Sequence, residues 1–391
     1  MINHFELLQQ VIPGARELVH VFNGYTATTP EELLPLVRSD PNVRTISQHR
    51  WGYIPMVDIE TTNEHNNLTD SEQMTSSTVA NLSDLSNVLH KRIRQANIGY
   101  NLAYVSEAQQ YPPREYHYLD NAGNLVDVYI LDTGVDVSHP DFRGRAFTLD
   151  NYVAAEGTTD FNGHGTHVAG IVGGTKYGVS KKCNIISIKI ANSKGMPSVH
   201  GAMLAIEDVV ERHKRRQSET GPFSGSVINM SFEVASEVGF RNAVRSACAA
   251  GIIMVAAAGN SNDDLASSNR YPAKYPQVIT VAASNDLYKK LPSSSYGAAV
   301  DIIAPGAGIE SDWKSGGTMT VGGTSQAAPH VAGIIAVWMS FEGIISPDQA
   351  KQLLTANADN NILGGFPSNT VNKLSNNGYQ KSPPYAMVEK K

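Results

Sequence analysis

Cysteine is scarce in this chain of 391 residues, which contains only Cys183 and Cys248. Two cysteines form at most one disulfide, so a disulfide-stapled scaffold is excluded, and neither cysteine has the neighbours of a zinc site. We expect both to be free, buried thiols. No apolar run reaches the roughly 18 residues that a membrane-spanning helix needs, so no membrane partner is expected.

Charged residues are also few, at 17% of the chain, and the balance is acidic, with a formal net charge of −6. This balance lacks the basic footprint of a nucleic-acid binder, so no nucleic-acid partner is expected. The N-terminus shows no basic segment followed by an apolar stretch, and therefore no visible signal peptide. The chain does contain 33 glycines and 41% hydrophobic residues. This composition fits a large α/β catalytic domain and argues against a coiled coil or a disordered protein.

Short apolar runs alternate with helical segments from Leu125 onwards. This alternation predicts an α/β fold with a doubly wound, mostly parallel sheet and helices on both faces. Ligands of such a sheet bind beyond the carboxyl ends of its strands, so the chemistry is expected there. The predicted strands are Val126–Leu131, Ile185–Ile190, Val227–Met230, Ile252–Ala257 and Val278–Ala282, and the predicted helices are Val199–Arg216 and Phe240–Ala250.

The segments before and after this pattern differ from it in composition. A small α+β module is predicted for residues 1–60, and a polar linker and processing region for residues 61–92. The catalytic domain is expected over residues 93–380, followed by a C-terminal tail over residues 381–391. The linker contains two glycosylation sequons, at Asn67 and Asn81, which would carry glycans only in a secreted chain.

Three motifs with reactive side chains lie where predicted strands end or helices begin. They place Asp132 in Asp-Thr-Gly, His164 in Asn-Gly-His-Gly-Thr-His, and Ser325 in Gly-Gly-Thr-Ser-Gln-Ala-Ala-Pro-His. A serine hydroxyl is a weak nucleophile that needs an imidazole to take its proton and a carboxylate to orient that imidazole. Taken singly, Asp-Thr-Gly is more often a turn or an aspartic-protease motif. His164 and His167 could suggest a metal site, although no third ligand presents itself.

In the order Asp, His, Ser, these motifs resemble those of the subtilisin-like serine proteases, most closely the fungal branch that contains proteinase K. The resemblance covers roughly Tyr100 to Gln380. It implies that Asp132 is the orienting acid, His164 the general base and then acid, and Ser325 the nucleophile, with no organic cofactor. Asn260 follows Ala-Ala-Ala-Gly after a predicted strand and resembles the family's oxyanion motif. In isolation, an asparagine after glycine is more often a turn residue.

The resemblance also implies a cleft that binds substrate as an extended strand between two edge segments. Both segments depart from the family pattern. Pro197 cannot donate a backbone hydrogen bond, and Glu233 and Val234 stand where the family has glycines. We therefore expect a primary pocket that is narrowed or negatively charged at its rim, with cleavage after apolar residues as the default. The expected substrate-binding residues are Gly195, Met196, Ser231, Phe232, Glu233, Ala257, Ala258 and Gly259.

A structural calcium ion is a further implication of the resemblance. The segments around Pro276 and Asp301 are similar to a family site that is built from two backbone carbonyls and one carboxylate, ligands that suit calcium. The expected ligands are the carbonyl groups of Pro276 and Val278 and the side chain of Asp301. The alternative is that Asp301 is a hydrogen-bonded polar residue beside a turn.

The front module resembles the inhibitor-type propeptide of this family, on residues 22–27, 30–33 and 41–43. It lacks a first strand and most of a first helix, so either the chain starts downstream of its true beginning or the module is damaged. The resemblance implies a zymogen whose own propeptide occupies the cleft. It also implies a monomer that acts on proteins or peptides and enters the secretory pathway, with the extracellular space or a vacuole as its destination. The maturation cut is expected between the module and Tyr100.

Two other functions remain open. A relative that keeps the fold as a catalytically inactive binding or regulatory protein would explain the altered cleft segments and the incomplete module. A serine esterase or lipase is disfavoured by the chain order and by the absence of a Gly-x-Ser-x-Gly elbow from the sequence.

Overall fold

The computed structural model describes residues 91–107 and 114–379, together with residues 34, 37, 46 and 52–54 and the backbone of 16–17, 25–26 and 75–77. The rest of the predicted front module, most of the predicted linker and the predicted tail at residues 381–391 lie outside the described residues. Within the module, Arg16–Glu17 (β1) pairs antiparallel with Tyr25–Thr26 (β2).

The described chain is organised around a nine-stranded sheet that is parallel except at one edge, as the apolar runs predict. The sheet order is β15-β16-β12-β11-β10-β9-β6-β8-β7, with only β15 and β16 antiparallel. The strand order reverses at β6, which lies between β8 and β9, and this reversal is where a doubly wound sheet opens a crevice for ligands. The strands are Val126–Asp132 (β6), Ala146–Asn151 (β7), Asn184–Lys189 (β8), Gly225–Met230 (β9), Ile253–Ala257 (β10), Val278–Ser284 (β11), Ile302–Pro305 (β12), Asp359–Asn360 (β15) and Lys373–Leu374 (β16).

Helices cover both faces of this sheet. Val128 and Ile130 of β6 pack in one apolar cluster with residues of α2 and α5, whereas Tyr129 and Leu131 pack in a second cluster with residues of α3 and α4. Each fully buried aliphatic side chain of this kind contributes about 1.5–3 kcal/mol. The helices are Tyr100–Ser106 (α1), His164–Gly173 (α2), Val199–Ser218 (α3), Val238–Ala249 (α4), Thr324–Glu342 (α5) and Pro347–Asn357 (α6).

Several elements lie outside the pattern that the sequence indicates. Thr75–Ser77 (β3), inside the predicted linker, pairs with Arg92–Ala96 (β4), which in turn pairs with Glu115–Leu119 (β5). This small sheet therefore spans the predicted boundary at residue 92. A hairpin of Ile309–Trp313 (β13) and Gly317–Val321 (β14) stands apart from the central sheet.

The two cysteines are free, as predicted. Cys183 is buried, and its burial raises the pKa of the thiol, whereas Cys248 is only half-buried. No single helix in the described part of the chain is long and apolar enough to cross a membrane. The helices α5 and α6 pass that test only as a pair, and they are bent by 107° at the break between them.

Candidate active site

Asp132 and His164 meet at the carboxyl edge of the central sheet. Asp132 is the last residue of β6 and His164 the first of α2, and both side chains are fully buried. The Nδ1–H of His164 donates to Asp132 Oδ1 over 2.8 Å, and the same oxygen accepts the Thr133 N–H over 2.7 Å. Because Nδ1 carries the proton, Nε2 is left as a base, and it has no hydrogen-bond partner among the described residues.

A second buried carboxylate, that of Asp160, connects the loop after β6 to the start of α2. Its Oδ1 accepts the hydroxyl of Thr133 and the backbone N–H groups of Asn162 and Gly163, at 2.8–3.0 Å. Its Oδ2 accepts the backbone N–H and the hydroxyl of Thr166, at 2.9 and 2.7 Å. The three catalytic-type motifs of the sequence do not contain this residue. An acid shortly before a small-residue helix is a capping signal that could have identified it.

Gly163 allows the chain to reach His164 in this geometry. Its φ is 109°, a left-handed conformation that side chains disfavour. An added Cβ would also lie 2.3 Å from the ring of Trp313. A glycine is thus required before His164 both by the backbone conformation and by the close packing of the Trp313 ring.

Ser325 lies in the first turn of α5, close to the end of β9. Its hydroxyl donates to the backbone carbonyl of Ser231 over 3.3 Å, and the Ser231 hydroxyl donates back to the Ser325 carbonyl over 2.9 Å. The hydrogen bond from Ser325 to His164 Nε2 is therefore not made in this conformation. Such bonds often tighten only once substrate is bound.

Asn260 is held beside Ser325 by the residue that precedes the serine. Its side-chain Oδ1 accepts both the backbone N–H and the hydroxyl of Thr324, at 2.8 and 3.1 Å. The Thr324 hydroxyl in turn accepts the Gly259 N–H over 3.0 Å. With its oxygen used in this way, the amide has its Nδ2 as the donor end, and Thr324 is a positioning residue that the motifs alone do not reveal.

A segment of the chain itself lies in the cleft as a strand. The backbones of Tyr53 and Glu233 exchange two hydrogen bonds, at 2.8 and 2.9 Å. On the opposite edge, the N–H groups of Gly52 and Ile54 donate to the carbonyls of Pro197 and Gly195, at 2.6 and 2.9 Å. Since Pro197 participates as an acceptor, its missing N–H does not weaken the pairing at this position.

The other predicted substrate-binding residues separate into different roles. Phe232 turns away from the cleft, because its side chain is buried in the core and tilted against Phe240. Met196 is partly exposed on the first edge segment, and Ala257 ends β10. The N–H of Ala258 donates to the Val281 carbonyl, so the chain continues its pairing with β11 by one residue beyond the end of β10.

The carboxylate of Glu233 is not a free negative charge at the pocket rim. Its Oε2 lies 2.6 Å from Arg270 Nη1, and the Nε of Arg270 lies 3.1 Å from Asp263 Oδ2. Burial raises the pKa of Glu233, and the contact with Arg270 opposes this. The negative charge of Glu233 is therefore paired within the chain with Arg270, which Glu233 shares with Asp263.

The β13–β14 hairpin contacts α2, the helix that begins with His164. The Nε2–H of His167 donates to the carbonyls of Ile309 and Met319, at 3.0 and 3.1 Å, and the Ser311 hydroxyl donates to the His167 carbonyl. Burial lowers the pKa of His167 to about 3, so this ring stays neutral. His167 therefore supports the site by holding the hairpin against α2.

The residues predicted to hold calcium do not fit the ion. The ammonium group of Lys351, on α6, lies 3.1 Å from the Pro276 carbonyl and 3.0 Å from Asp301 Oδ1. The other oxygen of Asp301 accepts the Thr280 N–H. An internal cation thus takes two of the three expected ligands, and Val278 alone remains. Among the residues that the structure describes, no cluster of His, Cys, Asp or Glu offers another metal site.

Comparisons with known proteins agree with this geometry. Residues 123–379 match the model of the subtilase family, peptidase family S8. The subtilisin-like serine protease AsES of Sarocladium strictum is 38% identical over 284 residues, which are 73% of this chain and 71% of that protein. Proteinase R of Parengyodontium album is 31% identical over 365 residues, 92% of this chain and 81% of that protein. The crystal structure of a cold adapted subtilisin-like serine proteinase is 34% identical with a TM-score of 0.66, and the match covers 72% of this chain and 98% of the other.

Proposed function

The chain belongs to the subtilase family and is a serine-type endopeptidase, and we propose that it is a zymogen that cleaves extended segments of proteins through Ser325, His164 and Asp132. The observation that carries the proposal is the strand Gly52–Ile54, which pairs with both edges of the cleft as a substrate would. A single chain supplies every group of the site, so the proposal needs no second copy and the enzyme acts as a monomer.

Attack begins when the Ser325 hydroxyl turns from the Ser231 carbonyl to His164 Nε2. The imidazole removes the proton as Ser325 Oγ bonds to the scissile carbonyl carbon, and it then protonates the leaving amine. Asp132 Oδ1 keeps Nδ1 protonated and stabilises the imidazolium that forms. Water, activated by the same nitrogen, hydrolyses the acyl-enzyme. No organic cofactor takes part in these steps.

The oxyanion of the tetrahedral intermediate is stabilised by the Asn260 amide and the Ser325 N–H. The latter belongs to the first turn of α5, where backbone N–H groups lack helical partners and attract negative charge. Removal of one such donor costs about 10²–10³ in kcat. The contact of Asn260 with Thr324 supports this role, because it fixes which end of the amide points away from the helix.

The register of the cleft strand supports a self-inhibited precursor. Pairing is antiparallel, so the residue two positions after Tyr53 is expected opposite Ser231, whose carbonyl contacts the Ser325 hydroxyl. Continuation of this register leads the chain towards Ser325, and we expect the maturation cut between the module and Tyr100.

The test is a time course of intact mass for the purified chain and for Ser325→Ala, each with denatured casein. The parent is expected to lose an N-terminal fragment and to degrade casein, whereas Ser325→Ala does neither. Sequencing of the new N-terminus locates the maturation bond. A folded parent that stays whole and leaves casein intact would overturn the proposal in favour of a binding or regulatory protein. The proposed route through the secretory pathway is tested by glycosylation at Asn67 and Asn81 in the chain isolated from its own cells.

A further inference from the structure

The side chain of Glu233 crosses the crevice between two neighbouring strand ends. The strands β9 and β10 are parallel neighbours that end at Met230 and Ala257, and the chain beyond each forms one wall of the crevice. Glu233 stands on the first wall, and its Oε1 accepts the Asn260 N–H on the second wall over 3.2 Å. A Cβ added to Gly259 would lie 2.4 Å from that oxygen. The carboxylate therefore already fills the space between the walls.

This crevice opens beside the nucleophile. Ser231, two residues before Glu233, contacts Ser325 through its carbonyl and its hydroxyl. A substrate strand that continues the antiparallel register of Tyr53 and Glu233 would therefore present the side chain before its scissile bond to the gap between the strand ends, where ligands of such sheets bind.

Arg270 holds the Glu233 carboxylate in place and neutralises it. Its Nη1 lies 2.6 Å from Glu233 Oε2, while its Nε lies 3.1 Å from Asp263. The other oxygen of Asp263 accepts the Ser295 hydroxyl over 2.5 Å. A basic substrate side chain would have to displace Arg270 to use this carboxylate. The Glu233 carboxylate thus reduces the volume of the pocket and is not available as a counter-ion for a basic substrate side chain.

We propose that Glu233, fixed by Arg270, is the specificity-determining residue of the pocket next to the scissile bond and restricts it to small side chains such as glycine, alanine and serine. The inference rests on the endopeptidase function proposed above. It narrows the expectation of cleavage after apolar residues, because large apolar side chains and the carboxylate would occupy the same volume. The expected enzyme cleaves after small residues in an extended segment.

A peptide series that differs only at the residue before the cleaved bond tests this proposal. For the parent, kcat/KM is expected to be about tenfold or more higher with alanine than with phenylalanine, leucine or lysine. Glu233→Ala opens the crevice and leaves Arg270 with Asp263 as a partner, so the phenylalanine and leucine peptides should gain about tenfold or more relative to alanine. Glu233→Gln keeps the volume and should keep the preference for alanine. Glu211→Ala, on the exposed surface of α3, is the control and should behave as the parent.

Three results would contradict the proposal. A parent that prefers phenylalanine or leucine overturns the proposal, and so does a lysine preference that Glu233→Gln abolishes. If Glu233→Ala folds but leaves the preference unchanged, Glu233 does not set it.

Covalent labelling of Ser325 separates this failure from failure of the proposed function. Methanesulfonyl fluoride and phenylmethanesulfonyl fluoride both form a bond from the serine Oγ to sulfur and release fluoride, and they differ in the group that enters the pocket. By intact mass, the parent should react faster with the methyl reagent, and Glu233→Ala should reverse this order. A parent that reacts with neither reagent and cleaves no peptide lacks the proposed function altogether. A parent that reacts faster with the phenyl reagent is an enzyme with an open pocket.

Discussion

Tyr53 and Glu233 exchange both of their backbone hydrogen bonds, at 2.8 and 2.9 Å, so residue 53 pairs with the edge of the cleft in an antiparallel bridge. The side chain of the same Glu233 reaches Asn260 and Arg270 on the far wall of the crevice. One residue therefore pairs with the segment in the cleft through its backbone and limits the adjacent pocket through its carboxylate. A glycine at this position could supply only the first of these contacts.

Tyr53→Pro should release the cleft sooner than the parent does. Proline removes the N–H that donates to Glu233. One lost backbone hydrogen bond weakens the contact by about 0.5–1.5 kcal/mol. The measurement is the lag before peptide hydrolysis after refolding, which should shorten. Tyr53→Ala is the matched control, since it keeps the N–H and changes a side chain that is 59% exposed. Equal lags for the two variants would contradict a role for this hydrogen bond.

Asp160→Asn should lower activity, although the side chain of residue 160 does not contact the substrate. An amide cannot accept all five of the hydrogen bonds that the carboxylate accepts from the loop after β6 and from the start of α2. We expect His164 to shift relative to Asp132, with a loss of about 10² in kcat and little change in KM. Steady-state kinetics measure both, and a thermal melt checks the fold. Wild-type kcat in the folded variant would show that Asp160 does not position the histidine.

Removal of calcium by a chelator should not change the stability of the parent, because Lys351 takes the place of the ion at the predicted calcium site. Lys351 already neutralises Asp301 and binds the Pro276 carbonyl, so EDTA is expected to leave the melting temperature unchanged. In Lys351→Ala the same oxygens are freed, and added calcium should then raise the melting temperature of the variant alone, because a ligand that binds only the folded state stabilises it. The comparison is made in the Ser325→Ala background. A calcium-dependent shift in the parent, or none in the variant, would contradict this account.

The stability of the chain should fall between about pH 4 and pH 8 because of Asp312. Burial, followed by the charge of Asp141, raises the pKa of this carboxyl group. The unfolded chain loses the proton near pH 4, so the folded state binds more protons above that pH. The free energy of unfolding therefore falls as pH rises from about 4 through the raised pKa. Asp312→Asn has no such proton to lose, and it should be about 1–3 kcal/mol more stable than the parent at pH 9.

Urea unfolding between pH 5 and pH 9 measures this effect, again in the Ser325→Ala background. Asp286→Asn, at an exposed position, is the control and should follow the parent at every pH. A loss of stability between pH 5 and pH 8 that is as steep in Asp312→Asn as in the parent would contradict the assignment.

The sheet could be predicted from the sequence because its strands are buried on both faces and are therefore continuous apolar runs. Val126–Asp132 and Val278–Ser284 start at the predicted residue and extend one or two residues further. The strand Ala146–Asn151 was missed, because as an edge strand it is mostly exposed and contains polar residues. The central strands could therefore be recognised in the sequence because they are buried, and not because of the strand propensity of their residues.

The site could be predicted in its catalytic residues but not in the contacts that modify it. Asp132 and His164 lie together as their motifs indicate. The partner of Glu233 is Arg270, 37 residues away, and that of Asp301 is Lys351, 50 residues away. No local pattern encodes such pairs, because they depend on how α6 and the loop after β10 fold back on the sheet. The contact of Arg270 with Glu233 changes the expected pocket, and the contact of Lys351 with Asp301 changes the expected metal site.

The hairpin of β13 and β14 also determines how the enzyme should lose activity on heating. His167 fastens the hairpin to the same helix that begins with His164, and β13 contains Asp312. Opening of this hairpin would release the helix start while the nine-stranded sheet stays intact, as in local unfolding of a small unit. Thermal inactivation is therefore expected at a lower temperature than the loss of far-ultraviolet circular dichroism, and the gap between the two should widen as the pH rises.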